Sequence, residues 1–205
     1  MIKFDLLENG TDSLKSAYNK MQVLNDLQKG LDHYLKDIVF FLNHGIEILF
    51  KYVLKAKDES LIFSNQRKYE IAKQEMLRLG KSNVFEISPN LRTVTLSEAI
   101  KICKENDFEV SEEYHSSLTY LNKMRNQFMH YEVNISDEEM LKLLVRQQVI
   151  FELTMEFFEL HIPNFIDYFE DARFEDTIDD YGDILAEMQR EADFERYVDE
   201  MMDSE

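Results

Sequence analysis

The chain of 205 residues contains no tryptophan, one cysteine, two prolines and five glycines. A lone Cys103 excludes an internal disulfide and fits a reducing compartment. It lies in the apolar pattern Ile100, Ile102, Cys103, which reads as a small core hydrophobe rather than a nucleophile. So few Gly and Pro leave few places to reverse the chain, and long helices are expected rather than many short strands. No apolar run approaches the roughly 20 residues that span a bilayer. The opening MIKFDLLENG carries no run of signal-peptide length. A cytoplasmic chain with no membrane contact is the expectation. A P-loop, a Rossmann glycine pattern and Gly-x-Ser-x-Gly are also lacking, which removes most familiar enzyme classes. His33, His115 and His161 show no ligand spacing, and His44 with Glu47 does not complete a ligand set. No metal and no cofactor is therefore expected.

What the chain has is apolar bulk and negative charge. Hydrophobic residues make up 44%, among them 15 Phe, 10 Tyr and 10 Met, enough for a sizeable core. The formal net charge is −18, unevenly spread. Residues 165–205 hold 16 acidic and 3 basic side chains, whereas residues 1–164 hold 25 and 20. A broad basic nucleic-acid surface is excluded, and any such site must be a local positive patch.

Helical periodicity organises most of the sequence. Thr11, Asp12 and Ser13 offer N-caps for a helix over Leu14–Leu27, with Gly30 as a break. Leu31, Tyr34, Leu35, Ile38, Leu42, Ile46, Leu49 and Val53 then recur at three- and four-residue steps and predict a long central helix. A short helix is expected near Tyr69–Leu79, closed by Gly80, followed by an extended connection through Pro89. Thr95-x-x-Glu98 and Ser136-x-x-Glu139 are capping-box patterns, and Ser111 is a further cap. Together these predict an all-α fold over residues 1–163, punctuated at Pro163. Residues 164–205 are expected to form an acidic amphipathic helical extension.

The chemistry is concentrated in SSLTYLNKMRNQFMHYEVNIS. Tyr114, Leu118, Leu121, Arg125 and Phe128 share one stripe of an ideal helix, so Arg125 falls on an apolar face. A guanidinium there needs a carboxylate, a cleft or a second subunit. Asn126 and His130 stack four residues apart, whereas Arg125 and His130 stand about 140° apart around the helix. They work together only if the helix ends or bends there, and the cap at Ser136 makes an end expected. Histidine for proton transfer, arginine for a crowded phosphate and an orienting amide suit RNA cleavage by its own 2′-hydroxyl, without a metal.

Two patterns resemble the HEPN family: R-N-x3-H as Arg125, Asn126 and His130, and an upstream His-x-x-Glu-x-x-x-Lys helix as His44, Glu47 and Lys51. The resemblance spans roughly residues 10–160. It implies a HEPN-like helical bundle of four to five core helices and a homodimer that brings two Arg/His sets into one cleft. It also implies endoribonuclease activity on an RNA substrate, in bacterial toxin–antitoxin or antiviral (abortive infection) defence, with an antitoxin or regulatory protein as partner. By that resemblance His130 is the general acid/base, Arg125 the phosphate stabiliser and Asn126 the orienting group. His44, Glu47, Lys51 and Tyr131 would be supporting residues. Members paired with a nucleotidyltransferase antitoxin carry a Tyr two or three positions after the His; here Tyr131 follows directly, which speaks against its regulation by modification. Other readings of the same residues stay open. Arg125 would pair with Glu47 in the core, Glu47 with Lys51 as an ordinary i, i+4 pair, and His130 would bond a carbonyl. The chain would then be a non-catalytic HEPN-like interaction module with a partner-binding or autoinhibitory acidic tail.

Overall fold

The buried stripe of the longest helix dictates the architecture. In the computed structural model, which describes residues 4–24, 27, 29–174, 187–192 and 194, this helix (α2) is Leu31–Lys57. Gly30 precedes it with φ of 85°, a left-handed conformation suited to glycine. Leu35, Ile38, Val39, Leu42, Ile46, Leu49, Phe50, Val53 and Leu54 are all buried, so α2 forms the centre of the core. Every regular element among the described residues is helical, apart from one antiparallel bridge between Phe63 and Thr93. The chain divides into two compact units, Met1–Ala172 and Arg173–Glu205.

The first helix departs from expectation. Helix α1 is Leu6–Gln22, eight residues earlier at its start than the Leu14 expected from Thr11–Ser13. Asp5 and Glu8 form the capping box instead: Glu8 N–H donates to Asp5 Oδ1 and Asp5 N–H to Glu8 Oε2, both at 2.9 Å. Thr11 and Ser16 are interior helical residues whose hydroxyls donate to Leu7 O and Asp12 O. Together with Gly10 and Ser13 they are small and buried because α1 lies close against α2. A Cβ at Gly45 would come within 2.9 Å of Gly10 O and Leu14 N, both backbone atoms that cannot swing aside. We expect Gly45→Ala to destabilise the fold by about 3 kcal/mol despite alanine's better helix propensity. A urea midpoint equal to that of the parent would disprove this close packing.

Of the remaining helices, those opening at Thr95, Ser111 and Ser136 follow the predicted caps, whereas the one before them opens on Asn65, where no cap was expected. Helix α3 is Gln66–Arg78, followed by Gly80 at φ of 62°. Its Lys73 donates to Glu59 Oε2 at 2.9 Å and its Tyr69 hydroxyl bonds the same carboxylate, tying α3 to the 3-10 turn Glu59–Ile62. The expected extended connection contains a second 3-10 turn, Val84–Glu86. Helix α4, Leu96–Glu105, opens on the Thr95–Glu98 capping box, and α6, Asp137–His161, on the Ser136–Glu139 box. Helix α5, Glu112–His130, is capped by Ser111. Cys103 is fully buried and burial pushes its thiol up to about 12, so it packs as a core residue and holds no reactive thiolate near neutrality.

The boundary expected at residues 163/164 lies later in the structure. After Pro163 the chain forms α7, Phe165–Asp171, whose Phe165 and Phe169 are buried in the first unit. Phe165 meets Phe158 at 5.7 Å between ring centroids, and Phe169 meets Tyr18 and Phe151, each also at 5.7 Å. In the second unit residues 187–192 and 194 are helical, with Met188 and Phe194 exposed. Ile184, Leu185 and Val198, on which the expected amphipathic extension also rested, lie outside the described residues.

Candidate functional site

Helix α5 changes character along its length. Its first half is anchored by buried Tyr114, Leu118 and Leu121. The Tyr114 hydroxyl donates to Thr154 Oγ1 at 3.0 Å, and its ring stacks 6.2 Å from Phe50. Beyond Leu121 no residue of α5 is buried. Phe128, half-buried, meets Phe40 edge-on at 6.3 Å. The helix stops at His130, where Tyr131 turns extended and its N–H closes the last turn on Gln127 O at 2.9 Å. The helix end expected at the R-N-x3-H pattern is thus present.

One shallow, open groove runs along this half, formed by α5 and the residue that follows it. It is lined by Thr119, Asn122, Lys123, Asn126, Gln127, His130 and Tyr131, all polar, at the three- and four-residue steps of one helix face. Asn126 and His130 therefore come together as expected, with Tyr131 beside them, 83% exposed. Arg125 does not line the groove. It sits half-buried around the helix and donates from Nη1 to Asn126 Oδ1 at 3.0 Å. That bond occupies the amide oxygen and leaves both N–H groups of Asn126 Nδ2 as donors on the groove side.

The upstream residues take structural roles. Glu47 Oε1 accepts from Lys51 Nζ at 2.7 Å, and Lys51, 6% exposed, also donates to Thr93 Oγ1 at 3.2 Å. This is the ordinary i, i+4 pair, here fastened to the bridge segment at Thr93, and the Arg125–Glu47 pair is not formed. His44 is exposed, with Nδ1 3.1 Å from Ser13 Oγ across the α1–α2 contact. None of the three lines the α5 groove. Among the described residues no three His, Cys, Asp or Glu side chains are placed to hold a metal ion, and no helix is long and apolar enough to cross a membrane.

Lys123 and Arg146 are the functional candidates that motif reasoning missed. Residues 114–131 form the longest stretch of the chain without Asp or Glu, 18 residues. Residues 140–151 of α6 form another, of 12. Together they carry Lys123, Arg125, Lys142 and Arg146 and no acid, in a chain one-fifth acidic. Lys142 is paired with Glu138 at 2.6 Å. Lys123, Arg125 and Arg146 have no carboxylate partner among the described residues. On the α5 face Lys123 stands with no carboxylate among the lining residues, whereas Arg146 shares its surroundings with Glu113, Glu132 and Glu139. The signal for both in the sequence was the missing acids, which a tally of charge by halves of the chain averages away.

Comparison with models of known protein families, with curated proteins and with solved structures returned no match.

Proposed function

We propose that the chain is a metal-independent endoribonuclease of HEPN type that serves bacterial toxin–antitoxin or antiviral defence. The observation that carries this reading is the acid-free end of α5, where His130, Asn126 and Lys123 share one exposed groove and Arg125 is held to its edge through Asn126. In the reaction the 2′-oxygen attacks the adjacent phosphorus and the bond to the 5′-oxygen breaks. One proton leaves the 2′-hydroxyl and one reaches the departing 5′-oxygen. The products are a 2′,3′-cyclic phosphate and a 5′-hydroxyl. His130 moves a proton in this exchange. Asn126 donates to a non-bridging oxygen, and Lys123 and Arg125 balance the negative charge that accumulates on the phosphoryl oxygens.

Within one chain Arg125 and His130 do not share the groove, so the reading includes a homodimer in which a second copy supplies the facing arginine. The test is incubation of the purified chain with single-stranded RNA in excess chelator, with end-group analysis of the products. Cyclic phosphate ends that disappear in His130→Ala support the reading; intact RNA, or equal cleavage by the variant, removes it.

A second reading is a non-catalytic interaction module. Leu141 and Val145, 61% and 65% exposed and four residues apart on α6, favour it, because such side chains suit a protein partner. Under this reading the chain binds its partner equally well with and without His130.

A further inference from the structure

The α5 groove adjoins a second feature. Between α5 and α6 lies a furrow of two hollows, divided by Tyr120 and Arg146, which line both. The Arg146 guanidinium carbon lies over the Tyr120 ring at 4.3 Å from its centroid. Met124, Leu143 and Ile150 supply apolar lining, and Gln127 lines both this furrow and the His130 groove. The two depressions are therefore neighbours that share the ridge of α5.

Arg146 has no carboxylate partner among the described residues, although acids outnumber bases 41 to 23 in the chain. An arginine held over a tyrosine ring keeps N–H groups available for hydrogen bonds and places a cationic, partly apolar surface beside it. Nucleobases stack on aromatic rings and on guanidinium planes, and the same guanidinium bonds phosphate oxygens. Carboxylates line it as well: Glu113 in the hollow with Ile150, Glu132 and Glu139 in the hollow with Leu143. Glu139 is already engaged, accepting from Ser136 N at 2.9 Å and Ser136 Oγ at 2.8 Å.

We propose that Tyr120 and Arg146 form a base-stacking subsite for single-stranded RNA, beside the groove of Asn126 and His130. This rests on reading that groove as an RNA site. The base stacks against the Tyr120–Arg146 wall, Arg146 holds the attached phosphate, and the neighbouring phosphate is delivered across Gln127 towards His130. A base already paired in a duplex has no free face to offer, so the subsite selects unpaired RNA.

The experiment uses the full chain carrying His130→Ala, which removes turnover, and a short fluorescein-labelled single-stranded RNA read by fluorescence anisotropy. Adding Tyr120→Ala is expected to raise Kd about tenfold. Tyr120→Leu, which keeps apolar bulk between the helices but has no ring, is expected to do the same. Tyr120→Phe keeps the ring and stays within about twofold of the His130→Ala parent. Arg146→Gln weakens binding and lowers the slope of log K against log salt by about one. Unfolding curves establish that each variant is folded. A folded Tyr120→Leu that binds like its parent overturns the subsite, as does a parent that binds no RNA. Binding that depends on the Tyr120 ring in a chain that cleaves nothing removes the enzyme and keeps the subsite. Cleavage with binding indifferent to the ring does the reverse.

Discussion

Mixing Arg125→Ala chains with His130→Ala chains is expected to restore RNA cleavage that neither variant shows alone. Both residues sit on α5, but about 140° of helix separates them, and only His130 lines the groove. A site built in one chain would need the last turn of α5 to unwind, whereas that turn is closed by the Tyr131 N–H on Gln127 O. A site built across two copies needs no such distortion. Each variant alone lacks one member of every site and falls at least about a hundredfold. A mixed dimer holds one site with both members and one with neither. With equal amounts and random exchange, about a quarter of the parental rate returns. The measurement is RNA cleavage after co-refolding, with light scattering to establish the dimer. A mixture no more active than the single variants sinks the two-copy site.

How much of this was legible in the sequence differs from element to element. The boxes at Thr95–Glu98 and Ser136–Glu139 and the cap at Ser111 are local chemistry, complete within four residues, and each opens a helix where expected. The box at Asp5–Glu8 obeys the same chemistry, but Thr11, Asp12 and Ser13 offered a rival start. What decided between them is not local. Gly10 and Ser13 are small because α2 presses on them at Gly45, a contact between residues more than 30 positions apart. The stripe through Arg125 shows the complementary limit. Periodicity gives the face of α5 but not how far its neighbours extend along it. Leu121 is the last buried position, so Arg125 meets the edge of the core rather than its interior. Asn126 and His130 were placed correctly because their relation is set within one helix turn. Arg146 was not found because its partner, Tyr120, lies on a different helix.

Truncation after Pro163 is expected to cost far more stability than truncation after Ala172. The acidic bias of residues 165–205 makes Pro163 look like the start of an appendage. The first cut, however, removes Phe165 and Phe169, both buried. It strips aromatic partners from Phe158, Tyr18 and Phe151, and the Phe169 ring from beneath Lys15, whose Nζ lies 4.7 Å from its centroid. Deleting a buried Phe side chain costs about 3–5 kcal/mol. Losing two in one cluster is expected to remove at least about 5 kcal/mol, a large part of the stability of an ordinary domain. For a unit of this size that lowers Tm by roughly 10–20 °C. The second cut leaves α7 in place and is expected to move Tm by less than about 2 °C. Thermal unfolding of the two truncations decides the matter, and equal melting temperatures would place the boundary at Pro163 after all. The same pair separates folding from regulation. If the acidic extension restrains the α5 groove, RNA cleavage rises when the chain ends at Ala172. A chain ending at Pro163 confounds that rise with loss of the fold, so the informative cut is set by Phe169 and not by the first run of acids.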